Sequence, residues 1–206
     1  HSEYSLLDGA CRISEIPKRA AECGHQAVAL TDHGAMYGAV AFYQACRDAG
    51  IKPIIGCEVY VAPGSRFERT SSQDGYAYHL VLLCKNAEGY RNLIYLVSKG
   101  YTEGFYSKPR IDYELLRGHS EGLVALSACL AGKIPALLSR GDYEGAKRAA
   151  YELSEIFGKD NFYIELQNHG LAEQRQILPS LVSLARECGL PLVATNDCHY
   201  LRRADA

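Results

Sequence analysis

The sequence predicts an α/β fold of about seven strands, close in strand number to a (β/α) barrel. Its 206 residues, of which 48% are hydrophobic, match the size of one α/β barrel or open-sheet domain. Short apolar runs alternate with segments of helical period, which is the order of βα units in a parallel sheet. Four of the apolar runs end on side chains that can bind metal, as expected where the carboxyl ends of barrel strands meet.

The segment before residue 62 is predicted to hold two helices and two strands. Ser14 can cap the first helix, and Gly24 and Gly50 can end the first and second helices. The predicted elements are a helix over residues 15–23, a strand over 27–30, a helix over about 36–49, and a strand from residue 53 that ends at Tyr60 or Val61.

Residues 62–78 interrupt this alternation. They are mostly polar, include Pro-Gly-Ser and Ser-Ser-Gln-Asp-Gly, and show no helical period. We therefore predict a long loop, which in a compact domain often serves as a lid or a substrate loop.

The alternation resumes after this loop and continues to the end of the chain. The predicted elements are a strand over residues 79–84, a helix over 88–100, a loop over 101–110, a short helix over 113–117, a strand over 122–127, helices within 134–139 and over 143–157, a strand over 162–166, a helix over 172–188 and a strand over 191–195. No internal repeat is visible, so residues 1–206 are predicted to form one domain. The chain opens on His1 without a methionine, and we expect a truncated first strand and an origin in a larger protein.

Charge and cysteine usage limit the possible partners. A net charge of -2 provides no broad positive field, so any contact with DNA must be local or must come from a partner. The eight cysteines lie mostly in apolar or helical patterns, and no signal peptide or membrane span is visible. The sequence therefore predicts a cytoplasmic protein with reduced thiols and no membrane partner.

Candidate metal ligands follow the predicted strands. They combine imidazole, carboxylate and thiolate groups, which favours zinc or manganese over calcium. Asp197 and His199 stand two residues apart in an extended segment and share a face. The chain lacks a Cys-x-x-Cys pair, which argues against a structural zinc ribbon. A multinuclear catalytic pocket is thus predicted from five side chains: His33, Glu58, Cys129, Asp197 and His199.

Each candidate also has a structural interpretation. A single buried histidine such as His33 is more often a hydrogen-bonded core residue, and Glu58 could pair with a lysine or arginine. His169 could lie near the pocket or in a surface turn. Five such groups at equivalent strand ends are nevertheless difficult to explain by packing alone.

Lys108 and Arg110 are candidates for binding substrate. A guanidinium can grip a phosphate through two hydrogen bonds, and a lysine can pair with it as a point charge. The alternative is a salt bridge within the loop, to Asp112 or Glu114.

Seven motifs, in this order along the chain, carry a resemblance to a known family. They are HSEYSLLDG at residues 1–9, LTDHG at 30–34, GCE at 56–58, YHLVLL at 78–83, KPRID at 108–112, LSACLAG at 126–132 and ATNDCHY at 194–200. Together they resemble the polymerase-and-histidinol-phosphatase (PHP) domain at the N-terminus of bacterial DNA polymerase III alpha subunits. The resemblance covers the whole chain and implies a distorted (β/α)7 barrel.

The resemblance also implies a pocket for two or three zinc or manganese ions. His1 is similar to the second histidine of the family's His-x-His motif, and Asp8 to the acidic ligand that follows it. The remaining ligand positions are matched by His33, Glu58, His79, Cys129, Asp197 and His199, of which Asp197 and His199 are the expected catalytic residues. The first histidine of the His-x-His motif would precede residue 1.

The implied activity is metal-dependent hydrolysis of phosphoesters. Within a polymerase, this would be a 3′-to-5′ proofreading exonuclease acting on the 3′ end of a DNA primer strand, with the remainder of the alpha subunit and the replisome as partners. Two alternatives stay open. The domain could be a metal-stabilised scaffold without turnover, or a free phosphatase acting on a small ester such as histidinol phosphate.

Overall fold

A computed structural model describes residues 1–69 and 76–205 of the chain. The helices are α1 (Ile16–Glu22), α2 (Ala39–Asp48), α3 (Ala87–Thr102), α4 (Tyr113–Gly118), α5 (Lys133–Ser139), α6 (Tyr143–Phe157) and α7 (Ala172–Cys188). The strands are β1 (Ala27–Leu30), β2 (Lys52–Val61), β3 (Tyr78–Cys84), β4 (Phe105–Tyr106), β5 (Lys108–Ile111), β6 (Leu123–Leu126), β7 (Phe162–Leu166) and β8 (Leu192–Ala194). Single turns of 3-10 helix lie at Lys159–Asn161 and Arg203–Asp205.

The strands form one mixed, curled sheet in the order β4-β5-β2-β3-β6-β7-β8, with β1 also paired to β2. The length of β2 explains this branching, because its first half pairs in parallel with β1 and its end pairs in parallel with β5. No strand pairing joins β8 to β1 within the described residues, so the sheet curls without closing. The predicted α/β class with a distorted, barrel-like sheet is confirmed; the strand expected before His1 stays a prediction.

The prediction of a parallel sheet is wrong for β3. This strand runs antiparallel to both β2 and β6. A parallel return requires a crossover, usually a helix, and the described part of the segment between β2 and β3 contains none. The reversal places the beginning of β3, where His79 lies, at the edge of the sheet where β2 and β6 end.

Other differences concern local structure. The predicted loop over residues 101–110 contains a hairpin in which β4 pairs antiparallel with β5. A two-residue strand beside Pro109 is too short to be recognised by period, and proline is unusual within a strand. Helix α1 has Glu15 rather than Ser14 at its N-cap, without a side-chain cap, and α2 begins three residues later than predicted, at Ala39.

The segment after β2 is held against the helices where it is described. Arg66 donates from Nε to Glu103 Oε2 at 2.9 Å and from Nη1 to Asp112 Oδ1 at 3.0 Å. Asp112 also caps α4 by accepting from the Leu115 amide. The central part of the predicted lid or substrate loop, residues 70–75, lies outside the described residues.

The hydrophobic core has a large part and a small part, besides a third group of three buried residues, Val81, Leu126 and Ala128. The larger part packs β2, β3, β6 and β7 against helices α3 to α7. The smaller part joins α1 and α2 to β1 through residues such as Leu30, Phe42 and Cys46. No helix among the described residues is both long and apolar enough to cross a membrane. Both cores support one edge of the sheet, where the polar side chains gather.

Candidate metal centre

Glu58 is the centre of a cluster of ionisable side chains at this edge. It lies near the end of β2 and is 2% exposed. His33 follows β1, and its Nδ1 lies 3.0 Å from Glu58 Oε1. His79 begins the antiparallel strand β3, and its Nδ1 lies 2.5 Å from the same oxygen. Three strands therefore bring two imidazoles onto one buried carboxylate.

The N-terminal turn and the segment after β8 complete the cluster. His1 Nε2 lies 3.2 Å from Asp197 Oδ1 and 3.8 Å from Glu58 Oε2. Asp8 approaches from the exposed side, with Oδ2 at 3.1 Å from His33 Nε2 and at 3.9 Å from His199 Nε2. Because these side chains come from distant parts of the sequence, only the folded chain assembles the cluster.

Three groups of ligand atoms are compact enough to hold a metal ion. Within each group, all atoms lie within 4.8 Å of one another. The groups are His1, His33 and His199; His33, Glu58 and His79; and His1, Glu58 and Asp197. Cys129 and Asp8 lie beside these groups, and Cys129 Sγ is 3.5 Å from His79 Nδ1. The structure thus brings together all eight side chains of the predicted ligand set, whose role as ligands stays a prediction.

Poorly aligned polar atoms at the centre fit a metal. Three buried atoms of the cluster have no hydrogen bond of good geometry: His1 Nε2, His33 Nδ1 and Glu58 Oε1. They meet one another and the neighbouring Asp197 and His79 as ion pairs. A cation placed between them would be coordinated by the lone pairs of these atoms. The nitrogen, carboxylate and thiol donors are those that zinc and manganese sites use.

Two histidines have the tautomer that a ligand needs. Ser5 Oγ donates to Asp32 Oδ1 at 2.9 Å, so it can only accept from His1 Nδ1, which lies 2.9 Å away. The backbone oxygen of Asp197 likewise accepts from His199 Nδ1 at 2.8 Å. Since a neutral imidazole carries one proton, the Nε2 lone pair of each ring then faces the cluster.

The charges within the cluster compensate one another without metal. Burial raises the pKa of Glu58, but the His33 and His79 imidazoles outweigh burial and hold this pKa at about 2. Burial lowers the pKa of His33. The carboxylates of Glu58 and Asp8 together raise it by more, so the pKa of His33 is raised overall. Burial, followed by the charge of Glu58, raises the pKa of Cys129 to about 12. A thiolate ligand at Cys129 would therefore require a metal ion to displace its proton.

Asp32 supports the cluster and is absent from the predicted site. Its buried carboxylate accepts from the Ser2 amide at 2.5 Å, from Ser2 Oγ at 2.7 Å and from Ser5 Oγ. The Ser5 oxygen in turn accepts from the His33 amide at 3.1 Å. Asp32 thus anchors the turn that presents His1. Asp32 directly precedes His33, and consecutive residues of an extended segment face opposite sides. If His33 faces the cluster, Asp32 faces away from it, and this could have indicated a supporting role.

Glu165 is a second supporting residue that the sequence reasoning missed. It is buried on β7 and accepts from the Ala128 amide at 3.0 Å and from Thr195 Oγ1. These bonds connect the segment that carries Cys129 to the segment that carries Asp197. A lone carboxylate inside the apolar run FYIEL was the available signal.

Backbone strain is concentrated at the predicted site. Among the described residues, four non-glycine residues have positive φ: Leu7, Ser107, Ala128 and Asp197. Asp197 is itself a candidate ligand, and the other three directly precede Asp8, Lys108 and Cys129. Such conformations cost about 1–3 kcal/mol each and are frequent at functional sites. The positive φ angles therefore occur at, or directly before, residues that the sequence predicts for the site.

Lys108 borders the cluster through Tyr60. Its Nζ lies 4.4 Å from the centroid of the Tyr60 ring, which stacks on the His33 ring with centroids 6.2 Å apart. Gly34 permits this packing, because a Cβ at its φ of +60° would lie 2.9 Å from Pro109 Cγ and 3.1 Å from the Tyr60 ring. Lys108 is thus near enough to attract an anion that enters the cluster.

Arg110 and His169 lie elsewhere. Arg110 is 1% exposed and donates to the backbone oxygens of Gly104 at 3.2 Å and Glu68 at 2.9 Å. A guanidinium so engaged supports the segment after β2 rather than facing substrate. The imidazole of His169 interacts with Gln174 Nε2 at 3.1 Å in a turn after β7, outside the cluster.

Comparison with known proteins agrees with the geometry. The PHP domain family matches residues 1–169. The chain is 51% identical over 207 residues to the DNA polymerase III subunit alpha of Treponema pallidum and 48% identical over 210 residues to that of Thermus aquaticus. Both matches cover 100% of this chain but only 18% and 17% of the relatives. The chain therefore spans less than a fifth of these proteins.

Solved structures share the fold. An amidohydrolase from Chromobacterium violaceum with bound sulfate has a TM-score of 0.56 and 17% identity, over 93% of this chain and 84% of that chain. A two-domain protein from Bacteroides vulgatus, described as containing a predicted PHP-like metal-dependent phosphoesterase, has a TM-score of 0.56 and 16% identity, over 100% of this chain and 52% of that one. At these identities the likeness concerns the fold alone.

Proposed function

Because the chain belongs to the PHP domain family, we propose that it is the phosphoesterase domain of a DNA polymerase III alpha subunit and removes nucleotides from a DNA 3′ end by metal-dependent hydrolysis. The cluster around Glu58, with its three compact groups of possible ligand atoms, is the observation that carries this proposal. The similarity to alpha subunits over the whole chain supports DNA as the substrate. In this proposal residues 1–206 form one domain, the rest of the subunit and the replisome are its partners, and it acts in the cytoplasm.

The side chains have separate roles in the proposed reaction. His1, His33, His79 and Glu58 would hold two or three zinc or manganese ions together with Asp8, Cys129, Asp197 and His199. Such ions supply Lewis-acid polarisation of phosphoryl oxygens and acidify water, so no side-chain nucleophile is needed. Asp197 and His199 are more accessible than Glu58, with side-chain exposures of 20% and 27%, and they would border the bound phosphodiester.

Lys108 would attract the phosphodiester to this pocket. Among the described residues it has no carboxylate partner within salt-bridge distance, so its charge is available to an incoming phosphate. Neutralising that phosphate lowers the barrier to attack by water. Arg110 is assigned no substrate contact in this proposal, because its side chain is buried.

The replacement Asp197→Asn tests the proposal. It removes one negative charge while keeping the shape of the side chain, and we expect hydrolysis to fall by at least ~100-fold, a loss typical of a residue that supports a metal. The rate should be measured on the full-length protein with a 5′-labelled oligodeoxynucleotide, whose product ladder also reports the direction of digestion. Metal content should be measured by plasma mass spectrometry on the same preparation.

Controls separate this proposal from the two alternatives. Asp48→Asn removes a carboxylate from the exposed face of α2 and should leave the rate unchanged. A scaffold would show bound metal without turnover, and Asp197→Asn would then lower only the melting temperature and primer extension. A free phosphatase would prefer p-nitrophenyl phosphate over bis(p-nitrophenyl) phosphate. Full nuclease activity in the Asp197→Asn protein, or after exhaustive chelation, would refute the proposed catalytic metal site.

A further inference from the structure

Four exposed aromatic side chains form a continuous surface beside the metal cluster. We call them the aromatic ladder: Tyr4, Tyr37, Tyr101 and Phe105. Tyr4 and Tyr37 meet edge to face with ring centroids 6.2 Å apart, and Tyr101 and Phe105 stack at the same separation. Tyr37 is 64% exposed, although tyrosines usually bury most of their ring. Within the part of the chain that the structure describes, these four rings therefore stay exposed.

The two halves of the ladder adjoin. Burial raises the pKa of Tyr101, and the neighbouring hydroxyl of Tyr37 raises it further, so the two phenol groups lie side by side. Pro109 lies close to both the loop after β1 and the end of α3. A Cβ on Gly34 would lie 2.9 Å from Pro109 Cγ, and one on Gly100 would lie 3.2 Å from the Pro109 oxygen. The ladder thus rests on a firm base formed by the loop after β1, the end of α3 and β5.

The segments that carry the ladder also carry residues of the metal cluster. The Tyr4 amide donates to Ser2 Oγ at 3.1 Å, in the same turn that presents His1. Tyr37 lies four residues after His33 in the loop after β1. In the β4–β5 hairpin Phe105 pairs with Pro109, and Lys108, the residue before Pro109, reaches over Tyr60 toward the cluster. An extended ligand on the ladder would therefore have one end at the predicted metals.

We infer that the aromatic ladder binds the single-stranded segment of nucleic acid whose terminal phosphodiester enters the metal cluster. This inference rests on the proposed function. Bases stack on aromatic side chains irrespective of sequence, each contact being worth about 5- to 150-fold in affinity. Stacking also requires no broad positive field, which the chain with its net charge of -2 lacks. Lys108 supplies the local charge where the phosphate backbone would reach the cluster.

The exposed rings of the ladder suit stacked bases. Three of its four members are tyrosines, and a base stacks on an aromatic face irrespective of sequence. The fourth, Phe105, lies in the hairpin that also carries Lys108. Because tyrosine is frequent in protein interfaces as well, the test below also measures subunit assembly.

The test compares a long and a short substrate of the full-length protein. Tyr37→Leu and Tyr101→Leu should each raise the KM for a single-stranded oligodeoxynucleotide by about 10-fold, with kcat unchanged, because one stacking platform is lost. Hydrolysis of bis(p-nitrophenyl) phosphate, which fills only the pocket, should not change. Tyr37→Phe keeps the ring and should retain the original KM. Tyr151→Leu is the matched control, because this tyrosine on α6 has an exposure between those of Tyr37 and Tyr101.

Photo-crosslinking tests the inference without requiring turnover. An oligothymidylate with 5-iodouracil near its 3′ end should form adducts with Tyr37 or Tyr101, mapped by peptide mass spectrometry, even in chelator. Unchanged KM values and no adduct on the ladder would overturn the inference while leaving the proposed function intact. Adducts without any metal-dependent hydrolysis would refute the proposed function and retain the ladder. Loss of subunit assembly in the leucine variants, without these two effects, would identify a protein interface instead.

Discussion

Replacing Ser5 with alanine tests how the fold prepares His1 for metal. The Ser5 hydroxyl is buried and makes three contacts: it donates to Asp32 and accepts from the His33 amide and from His1 Nδ1. Only the last of these orients the imidazole. Its loss allows the ring to rotate and lets the proton move to Nε2, the atom that faces Asp197 and Glu58. Metal binding must then first restore the original tautomer.

The expected magnitude follows from these contacts. Removing a group that orients a histidine ligand typically lowers metal affinity by 10- to 100-fold, about 1.4–2.7 kcal/mol. The metal-free protein also loses stability, because the partly buried His33 amide and the buried Asp32 carboxylate each lose a hydrogen-bond partner. We expect the free energy of unfolding to fall by about 2 kcal/mol. Zinc affinity should be measured by competition with a fluorescent chelator, and stability by urea unfolding in chelator.

Ser139→Ala is the matched control. It also removes a partly buried serine hydroxyl, one that donates to the Pro135 oxygen within α5 at 2.9 Å. This variant should change stability by less than about 1 kcal/mol, because alanine is a good helix former, and should keep its zinc affinity. If Ser5→Ala bound zinc as tightly as the unmodified protein, the hydroxyl would only stabilise the turn, and the tautomer argument for His1 would fail.

Two further replacements examine individual side chains. Cys129→Ser should lower zinc content, measured by mass spectrometry, more than it alters far-UV circular dichroism, because thiolate is a strong zinc ligand; unchanged zinc with a collapsed fold would indicate packing alone. Lys108→Met should raise the KM for a phosphodiester several-fold at constant melting temperature, whereas Arg110→Met should lower the melting temperature because several backbone oxygens lose their donor. If instead Arg110→Met raised the KM and Lys108→Met lowered the melting temperature, Arg110 would be the residue that binds substrate.

The strand-end pattern identified five members of the cluster from the residues alone. Apolar runs that stop on ionisable residues placed His33, Glu58 and Cys129 at one edge, because the strands that carry them point the same way. Their side chains do meet there. This part of the site follows from elementary sheet geometry and needs no relative for comparison.

The remaining members were not visible in that pattern. His79 begins its strand, so it reaches the cluster only because β3 is reversed. Strand direction depends on the connection before β3, and a polar segment without period does not reveal it. His1 and Asp8 lie in an N-terminal turn without a strand signal, and their positions depend on the bonds to Asp32. These three residues entered the prediction only through the family resemblance.

The positions of strain and of poorly hydrogen-bonded atoms together bear on whether the metals stabilise the fold or catalyse. Leu7, Ala128 and Asp197 hold unfavourable backbone angles beside or at candidate ligands, at about 1–3 kcal/mol each. Buried atoms of His1, His33 and Glu58 lack hydrogen bonds of good geometry, which adds a further cost. Bound cations would offset both costs, so metal binding must raise stability even in an active enzyme. A higher melting temperature with metal is therefore expected under both interpretations, and only a measured turnover can separate them.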